Sequence, residues 1–384
     1  MTYAGERTIL DADSHIMELA GFLDGHIDPE VKLRTYFFDF MKDFYGDAVA
    51  KHEDRKKNPA LLDEAAKTLM TDKAWWALGA FDPQERSTAL DLLGFDGQLV
   101  FATFTWGTFA GRDVERVHLG ASAHNRAMAA FCADDPRMYA VGFVPLLDPV
   151  AAQTIAQEAI DVGCRAIMIP HMPAGDRSPA HPDLDGFWEV LESNNVPFVL
   201  HVGGGGRPDQ LIEKAYHNNG KKAQGHFGGG GEAITAKDVL AVDHGPQIFL
   251  GTLIFDGLFD RFPGLRGGVI EQGATWVVSW MRHLDHTASA FARMEPQLKE
   301  LTMTPSEYVR RHLKFTPYPG EPVGWMIEQC GEELFMFSTD YPHPEGGTKP
   351  REHFEESLTG VDQPAVDRFF AGNMRELMTG SAVA

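Results

Sequence analysis

Short runs of apolar and β-branched residues alternate with amphipathic stretches along almost the whole chain. Strands are predicted at Thr8–Asp13, Gln98–Phe104, Tyr139–Leu146, Arg165–Pro170, Pro197–Val202, Arg266–Gln272, Leu313–Tyr318 and Leu334–Asp340. These runs are apolar on both faces, as strands buried between layers must be. Helical patterns lie between them. Over Arg116–Cys132, the residues Val117, Ala121, His124, Ala127, Met128 and Phe131 form one stripe. Pro149–Val162 opens on Pro-Val-Ala-Ala and stops at Gly163, a residue suited to the position just past a helix. Eight strands alternating with helices predict an α/β fold, a (β/α)8 TIM barrel. An open doubly wound sheet is the alternative, because periodicity alone does not show closure.

Two stretches exceed a bare barrel. Residues from about 28 to 82 are charged and aromatic, with KHEDRKKN at Lys51–Asn58 and a Trp75-Trp76 pair, and read as a helical insertion after the first strand. Residues 203–232 carry GGGG at Gly203–Gly206 and again at Gly228–Gly231, with Arg207, Lys214, His217, Lys221, Lys222 and His226 between them. A long Gly-rich segment inside a compact domain reads as a mobile lid over an active site. A phosphate cradle is the weaker reading, since GxxxxGK[ST] and the strand-to-helix GxGxxG context are both missing. Residues 1–384 are thus expected to form a single barrel domain with two insertions.

Charge narrows the partners. There are 34 Lys and Arg against 55 Asp and Glu, a net charge of -21. That excess argues against nucleic acid and anionic membranes, which need clustered cations. A small anionic substrate stays open. The three cysteines, Cys132, Cys164 and Cys330, lie far apart without a CxxC pair, which fits a reduced cytoplasm and neither a disulfide framework nor a zinc ribbon. The opening MTYAGERTILDADSH has no apolar h-region, so no signal peptide is expected, and the apolar runs are too short for a membrane span. The segment TYFFDFMKDFY, Thr35–Tyr45, points to a homodimer. The 16 histidines are the remaining excess, and imidazole is a common metal ligand.

In a barrel, chemistry gathers at the C-terminal ends of the strands. There the first run ends in Asp11-Ala12-Asp13-Ser14-His15, and alternation puts residues 11, 13 and 15 on one side. The fifth ends in Leu200-His201, the sixth in Ile270-Glu271-Gln272, and the eighth in Ser338-Thr339-Asp340-Tyr341-Pro342-His343. A buried strand that closes on an unpaired polar group costs about 1–3 kcal/mol, so each of these needs a partner. For Asp11 the reading is a strand-end hydrogen-bond acceptor in preference to a ligand.

Longer segments join these motifs in order: ERSTALDLLGFDGQLV from Glu85, HNRAMAAFCADDPRMYAVGFVPLLDP from His124, HPDLDGFWEVLESNNVPFVLH from His181, GLFDRFPGLRGGVIEQGATW over Gly257–Trp276, and FSTDYPHPEG over Phe337–Gly346. With the opening Asp-Ala-Asp-Ser-His, this set resembles the amidohydrolase superfamily, in the branch of aminocarboxymuconate-semialdehyde decarboxylase and the metal-dependent aromatic-acid decarboxylases. The resemblance covers most of the chain outside the two insertions. It implies one divalent ion, zinc first and manganese second, held by Asp13, His15, His201 and Asp340. Asp340 would double as acid and base. Where the branch commonly has a catalytic His after the sixth strand, this chain has Glu271, which could still move a proton if burial raises its pKa. The candidate substrate contacts are His171, His343, Arg86 and Trp106. For Arg86 a surface or inter-helix salt bridge is the stronger reading, and for Trp106, with Phe104, packing under the insertion stands level with substrate stacking. The expected activity is decarboxylation of an aromatic or unsaturated carboxylic acid. The same ligands would serve hydrolysis of a carbonyl substrate, and the change at Glu271 leaves room for a binding barrel without turnover.

Overall fold

In a computed structural model of the chain, residues 2–31, 36–109, 111, 113–203, 211–221 and 235–380 are described, the side chains of 36–41, 43 and 214 excepted. Seven parallel strands follow one another in chain order: β1 (Leu10–Ile16), β2 (Gly97–Ala102), β3 (Met138–Phe143), β4 (Ala166–Met168), β5 (Phe198–His201), β6 (Gly267–Ile270) and β7 (Leu313–Phe315). All seven residues of β1 are buried, as are all four of β5 and of β6. Leu99, Val100, Ile167, Val199, Leu200, Val269, Phe315 and Phe335 are fully buried. Each such side chain contributes about 1.5–3 kcal/mol on removal from water.

The eighth expected strand, Leu334–Asp340, is extended but makes only single bridges, Phe335 to Phe315 and Tyr341 to Ser14. Its main chain still joins the two edges. Phe315 N–H donates to Leu334 O at 2.8 Å and Met336 N–H to Phe315 O at 2.9 Å. On the other side, Ala12 N–H donates to Phe337 O at 3.0 Å and Asp340 N–H to Asp13 O at 2.9 Å. The barrel therefore closes between β7 and β1. Asp11 explains the broken ladder. Its carboxylate accepts from the Thr339 N–H at 2.9 Å and from the Thr339 hydroxyl at 2.6 Å, taking donors that a regular ladder would give to main chain.

The helices begin and end where side chains satisfy their orphan main-chain groups. Asp82 accepts from Glu85 N–H at 2.9 Å ahead of the helix Pro83–Leu93, which stops at left-handed Gly94. Asp148 does the same for Pro149–Asp161 through Val150 and Ala151, and Gly163 follows it with φ +114°. The first insertion folds into helices Tyr36–Lys57 and Ala60–Lys67 and a 3-10 turn at Ala74–Trp76. A buried network anchors it: Arg55 grips Glu85 with two bonds of 2.7 and 2.9 Å, and His52 Nδ1 lies 3.0 Å from the same carboxylate. The insertion also reaches the closing segment, where Ala74 N–H donates to Pro342 O at 2.8 Å.

Of the segment expected as a lid, residues 204–210 and 222–232 lie outside the described residues, among them Arg207, Lys222 and His226. Most side chains of the aromatic segment expected to mediate a homodimer lie outside them too. Within that segment Tyr45 is buried, accepts from Ala20 N–H at 3.2 Å and packs on Trp75. Cys132, Cys164 and Cys330 are buried and free. No helix among the described residues is long and apolar enough to cross a membrane.

Candidate metal and acid–base site

Asp13 and His15, two residues apart on β1, project toward the same point. Main-chain bonds to the closing segment fix them there: Asp13 O accepts from Asp340 N–H, and His15 N–H donates to Tyr341 O at 2.7 Å. Asp11 lies beneath as a brace. It accepts from Gln98 Nε2 at 2.9 Å as well as from Thr339, and burial pushes its carboxyl up to about 7.

His201 ends β5. Its Nδ1 lies 3.0 Å from Val202 O, and a carbonyl can only accept, so Nδ1 carries the proton. Nε2 is left to face Asp13 Oδ1 at 3.5 Å and Glu271 Oε2 at 3.3 Å. His15 Nε2 lies 3.3 Å from the same Asp13 oxygen and 3.6 Å from Asp340 Oδ1. Burial alone would raise Asp13, but the hydrogen bonds and charges of His15 and His201 win and hold it well below the usual carboxylate range. His15 is pushed down to about 4 by burial, with the neighbouring His343 adding to the effect.

Glu271 and Asp340 are two of the few non-glycine residues with positive φ, +54° and +52°. A side chain in that region costs about 1–3 kcal/mol and persists only where its surroundings impose it. At Glu271 they do: its N–H donates to Thr316 Oγ1 at 2.9 Å, and its carbonyl accepts from Tyr318 OH at 2.9 Å. At Asp340, His343 Nδ1 sits 2.9 Å from Oδ1. The far nitrogen of His343 lies 2.9 Å from Thr103 Oγ1, whose own proton goes to Ile16 O at 2.7 Å. His343 Nε2 therefore donates, and Nδ1 is left facing Asp340 Oδ1. Burial, then the Asp13 charge, pushes Asp340 well above its ordinary value, while burial lowers His343 to about 4.

The ring of His343 stacks on His15 with centroids 3.9 Å apart. Phe101 of β2 lies against His201, with centroids at 4.6 Å, and against His15 at 5.6 Å. Between Asp13, Glu271, Thr316, Tyr318, Thr339, Asp340 and Glu345 is a cavity of about 30 Å³, room for one small ion or water. A much larger cleft, about 1010 Å³, opens among Arg7, Arg351, Arg368 and Glu355 near the start of β1, away from the strand ends that carry barrel chemistry.

Four sequence candidates, Asp13, His15, His201 and Asp340, are thus brought together, with Glu271 and His343 beside them. His171 is buried with its ring against Gly245; burial lowers it to about 4, and the charge of His201 contributes. Arg86 lies under the site instead of inside it. It is fully buried, with Nε donating to Gly79 O at 2.8 Å, NH2 to His15 O, and its guanidinium over the Tyr341 ring. Trp106 is half-buried in the short helix Thr105–Phe109 and packs on the core, while Phe104 stacks on Trp75 at 5.4 Å.

Three residues near the site escaped the sequence reading. Glu18 is buried and accepts from Thr103, Phe104 and Thr105 N–H at 2.8–3.0 Å, which holds Thr103 against His343. Lys73, from the insertion, buries an amine that makes no hydrogen bond among the described residues; burial lowers it to about 8 against the opposing charges of Asp340 and Glu345. Phe101 is the third. A buried Glu three residues past His15 and a lone Lys ahead of Trp75 were weak signals; an apolar strand residue such as Phe101 gave none.

The donor set fits a divalent cation. Asp13 Oδ1, both ring nitrogens of His15 and Asp340 Oδ2 are buried and make no hydrogen bond among the described residues. One ligand atom each from Asp13, His15, His201 and Glu271 lie within 4.8 Å of one another, and a second such group joins His15, Asp340 and His343. A mixed imidazole–carboxylate set suits zinc or manganese better than magnesium.

No curated protein matches the chain in sequence. A family model described as amidohydrolase matches residues 11–378. Among solved structures, an amidohydrolase of Mycobacterium avium subsp. paratuberculosis has a TM-score of 0.71 at 18% identity, over 97% of this chain and 99% of that one. The 5-carboxyvanillate decarboxylase of Novosphingobium aromaticivorans, with bound manganese and a nitrobenzoic acid, gives 0.65 at 19%, over 98% and 99%. The 2,6-dihydroxybenzoate decarboxylase from Rhizobium gives 0.62 at 17%, over 97% and 98%. At these identities the likeness establishes a shared fold.

Proposed function

The chain belongs to the amidohydrolase family, and from that premise and the geometry above we infer that it is a metal-dependent carboxy-lyase acting on an aromatic or unsaturated carboxylic acid. The observation that carries this reading is the buried meeting of Asp13, His15, His201 and Asp340 at the strand ends, with ligand atoms left unsatisfied. Asp13, His15 and His201 would hold the ion, and Asp340 approaches it from the side of His343. When bound, the ion supplies Lewis acidity and a fixed docking point for the substrate's oxygens. Zinc is the expectation from the donor set; manganese is the metal named with the related decarboxylase structure.

The protein's own part is proton handling and exclusion of water. Asp340, oriented by His343 Nδ1 at 2.9 Å, is the group placed to deliver a proton to the carbon that bears the carboxylate. The bond to the carboxylate then breaks, carbon dioxide leaves, and the electron pair of that bond restores the double bond that protonation had used. Phe101 and the stacked His15–His343 pair give that carbon a flat, dry wall. The substrate contacts assigned to His171, His343 and Trp106 belong to the same proposal.

The test is product analysis on hydroxylated benzoic acids with metal-loaded protein in water enriched in oxygen-18. Carbon dioxide release without oxygen-18 in the aromatic product supports the lyase. With esters and amides of the same acids as substrates, incorporation of one labelled oxygen from water into the released acid, with no carbon dioxide, replaces it with the hydrolase.

A further inference from the structure

We propose that the cleft of about 1010 Å³ at the N-terminal end of the barrel is a second binding site, for a small organic anion that carries two or more carboxylate or phosphate groups. It lies at the strand starts, opposite the metal pocket, and does not depend on the reaction assigned there.

In a chain of net charge -21, four arginines line this one cleft. They come from separate pieces of the fold. Arg7 belongs to the segment that leads into β1, and Arg351 to the first turn of the helix Pro350–Ser357. Arg368 opens the π-helical turn Arg368–Gly372, and Arg375 lies in the last helix, Asn373–Thr379. A π turn inside a helical run is rare and recurs at functional sites.

The donors of these arginines are the main argument. The Nε atoms of Arg7, Arg351 and Arg368 are buried and make no hydrogen bond among the described residues. A buried donor left unpaired is costly, and a charged one more so. Acidic neighbours do not relieve it. Glu355 Oε1 lies 3.4 Å from Arg7 Nε and 3.8 Å from Arg351 NH1, Asp367 lies 3.9 Å from Arg7 NH1, and Glu332 lies 3.9 Å from Arg368 Nε. Guanidinium–carboxylate hydrogen bonds run at about 2.7–2.9 Å. Arg368 shows the contrast, since its NH2 does reach Glu376 at 2.9 Å. The side chains of Arg7, Arg351 and Arg368 are 22–25% exposed, against 34–64% for Glu355, Glu332 and Asp367. Glu6 and Arg375 are exposed as well. The acids thus stand toward the rim and offset the charge of the cleft without using its buried donors.

The arrangement offers two oxyanion positions. Arg7 and Arg351 flank one carboxylate, that of Glu355, at distances that a ligand oxygen can shorten. Arg368 presents its own free Nε on the π turn. One carboxylate serves one position, whereas a dianion bridges both. The planar fork of arginine matches carboxylate and phosphate alike. The volume, at the upper end of the range of about 300–1,000 Å³ usual for small-molecule sites, leaves room for the carbon frame. The wall is also held in place before any ligand arrives. Phe369 O accepts from Phe337 N–H at 2.9 Å, and Asn373 Nδ2 donates to Glu332 O and Phe335 O, both at 2.7 Å. Arg7 lies over the Phe370 ring at 4.4 Å. Such preorganisation lowers the ordering cost of binding.

The experiment is isothermal titration calorimetry of metal-loaded full-length protein with succinate, a hexose bisphosphate and acetate, at an ionic strength matched with sodium chloride. Succinate and the bisphosphate separate the two sources of negative charge, and the tighter binder names the group. At least one of them should bind once per chain with a Kd below about 1 mM, and acetate about tenfold more weakly or worse. Arg7→Gln and Arg351→Gln should each weaken the dianion about tenfold, the loss of one charged hydrogen bond. His201→Ala should leave its affinity unchanged. Phenylglyoxal modification, read by peptide mass mapping, tests the unaltered protein: the dianion should suppress modification of Arg7 and Arg351. No heat from either dianion up to about 10 mM overturns the proposal. So does wild-type affinity in the double variant Arg7→Gln/Arg351→Gln. Loss of binding in His201→Ala, with both arginines left unprotected, also overturns it and puts the anion at the metal pocket. If the arginine variants fail a circular dichroism check for folding, the protection pattern decides, and unprotected Arg7 and Arg351 overturn the proposal.

Discussion

Replacing Arg86 with Met should destabilise the whole barrel instead of weakening substrate binding. The guanidinium is fully buried and spans three elements. Nε donates to Gly79 O at 2.8 Å, NH2 to His15 O, and NH1 reaches Gln98 Oε1 at 3.4 Å. Its plane also covers the Tyr341 ring at 5.1 Å. Hydrogen bonds from a charged donor contribute about 1.5–3 kcal/mol each, and a carbonyl stranded in the interior costs about 1–3 kcal/mol. Two strong bonds and two stranded carbonyls, less the desolvation cost that Arg86 itself no longer bears, give about 3–5 kcal/mol. Arg86→Lys keeps a cation but not the planar fork and should lose about 2–3 kcal/mol. Urea unfolding at pH 7 reads both variants. KM for the substrate should stay within a few-fold wherever the protein is folded, because the side chain never reaches the cavity. An unchanged unfolding midpoint in Arg86→Met, paired with a tenfold or larger rise in KM, would refute this and make Arg86 the carboxylate anchor.

Other outcomes follow from the same geometry. Asp340→Asn and His343→Asn should each lower kcat by about 10²–10⁴ while the bound metal, measured by elemental analysis, is retained. Trp75→Ala should cost about 3–5 kcal/mol in thermal or urea unfolding, because Trp75 is buried between Tyr45 and Phe104 and locks the insertion onto the barrel. His312, stacked on Phe259 with Nδ1 bonded to Leu265 O at 2.7 Å, is pushed down to about 4 by burial. Its folded pKa is below its unfolded one, so its stability contribution is complete above about pH 6.5 and is lost as pH falls toward 4. That loss amounts to about 3 kcal/mol. His312→Gln should flatten stability across this window, and an unaltered acid profile in that variant would show the histidine to be uninvolved.

How much was readable in advance differs from residue to residue, for physical reasons. Asp13, His15, His201 and Asp340 stood out because each closes an apolar run, and a barrel gathers such ends at one mouth. The strand order followed from the alternation. The eighth strand was harder, because Asp11 takes the donors of Thr339 and breaks a ladder that the apolar pattern predicts as continuous. For Arg86 the readings are a salt bridge and, behind it, a substrate contact, because helical spacing says nothing of which neighbour a side chain meets; its partners, His15 and Gly79, come together only when β1, the insertion and its helix pack. The left-handed turn at Glu271 depends on Thr316 and Tyr318, 45 and 47 positions away, and has no local sequence mark. Lys73 and Thr103 likewise enter through contacts across the barrel mouth.

The most direct test of the account is anomalous X-ray diffraction from crystals of the metal-loaded protein with a hydroxybenzoate inhibitor. The account predicts one strong peak about 2.0–2.2 Å from Asp13, His15 and His201, with the inhibitor's carboxylate turned toward it. A peak elsewhere, or full loading of this protein with an empty Asp13–His15–His201 cluster, would contradict it.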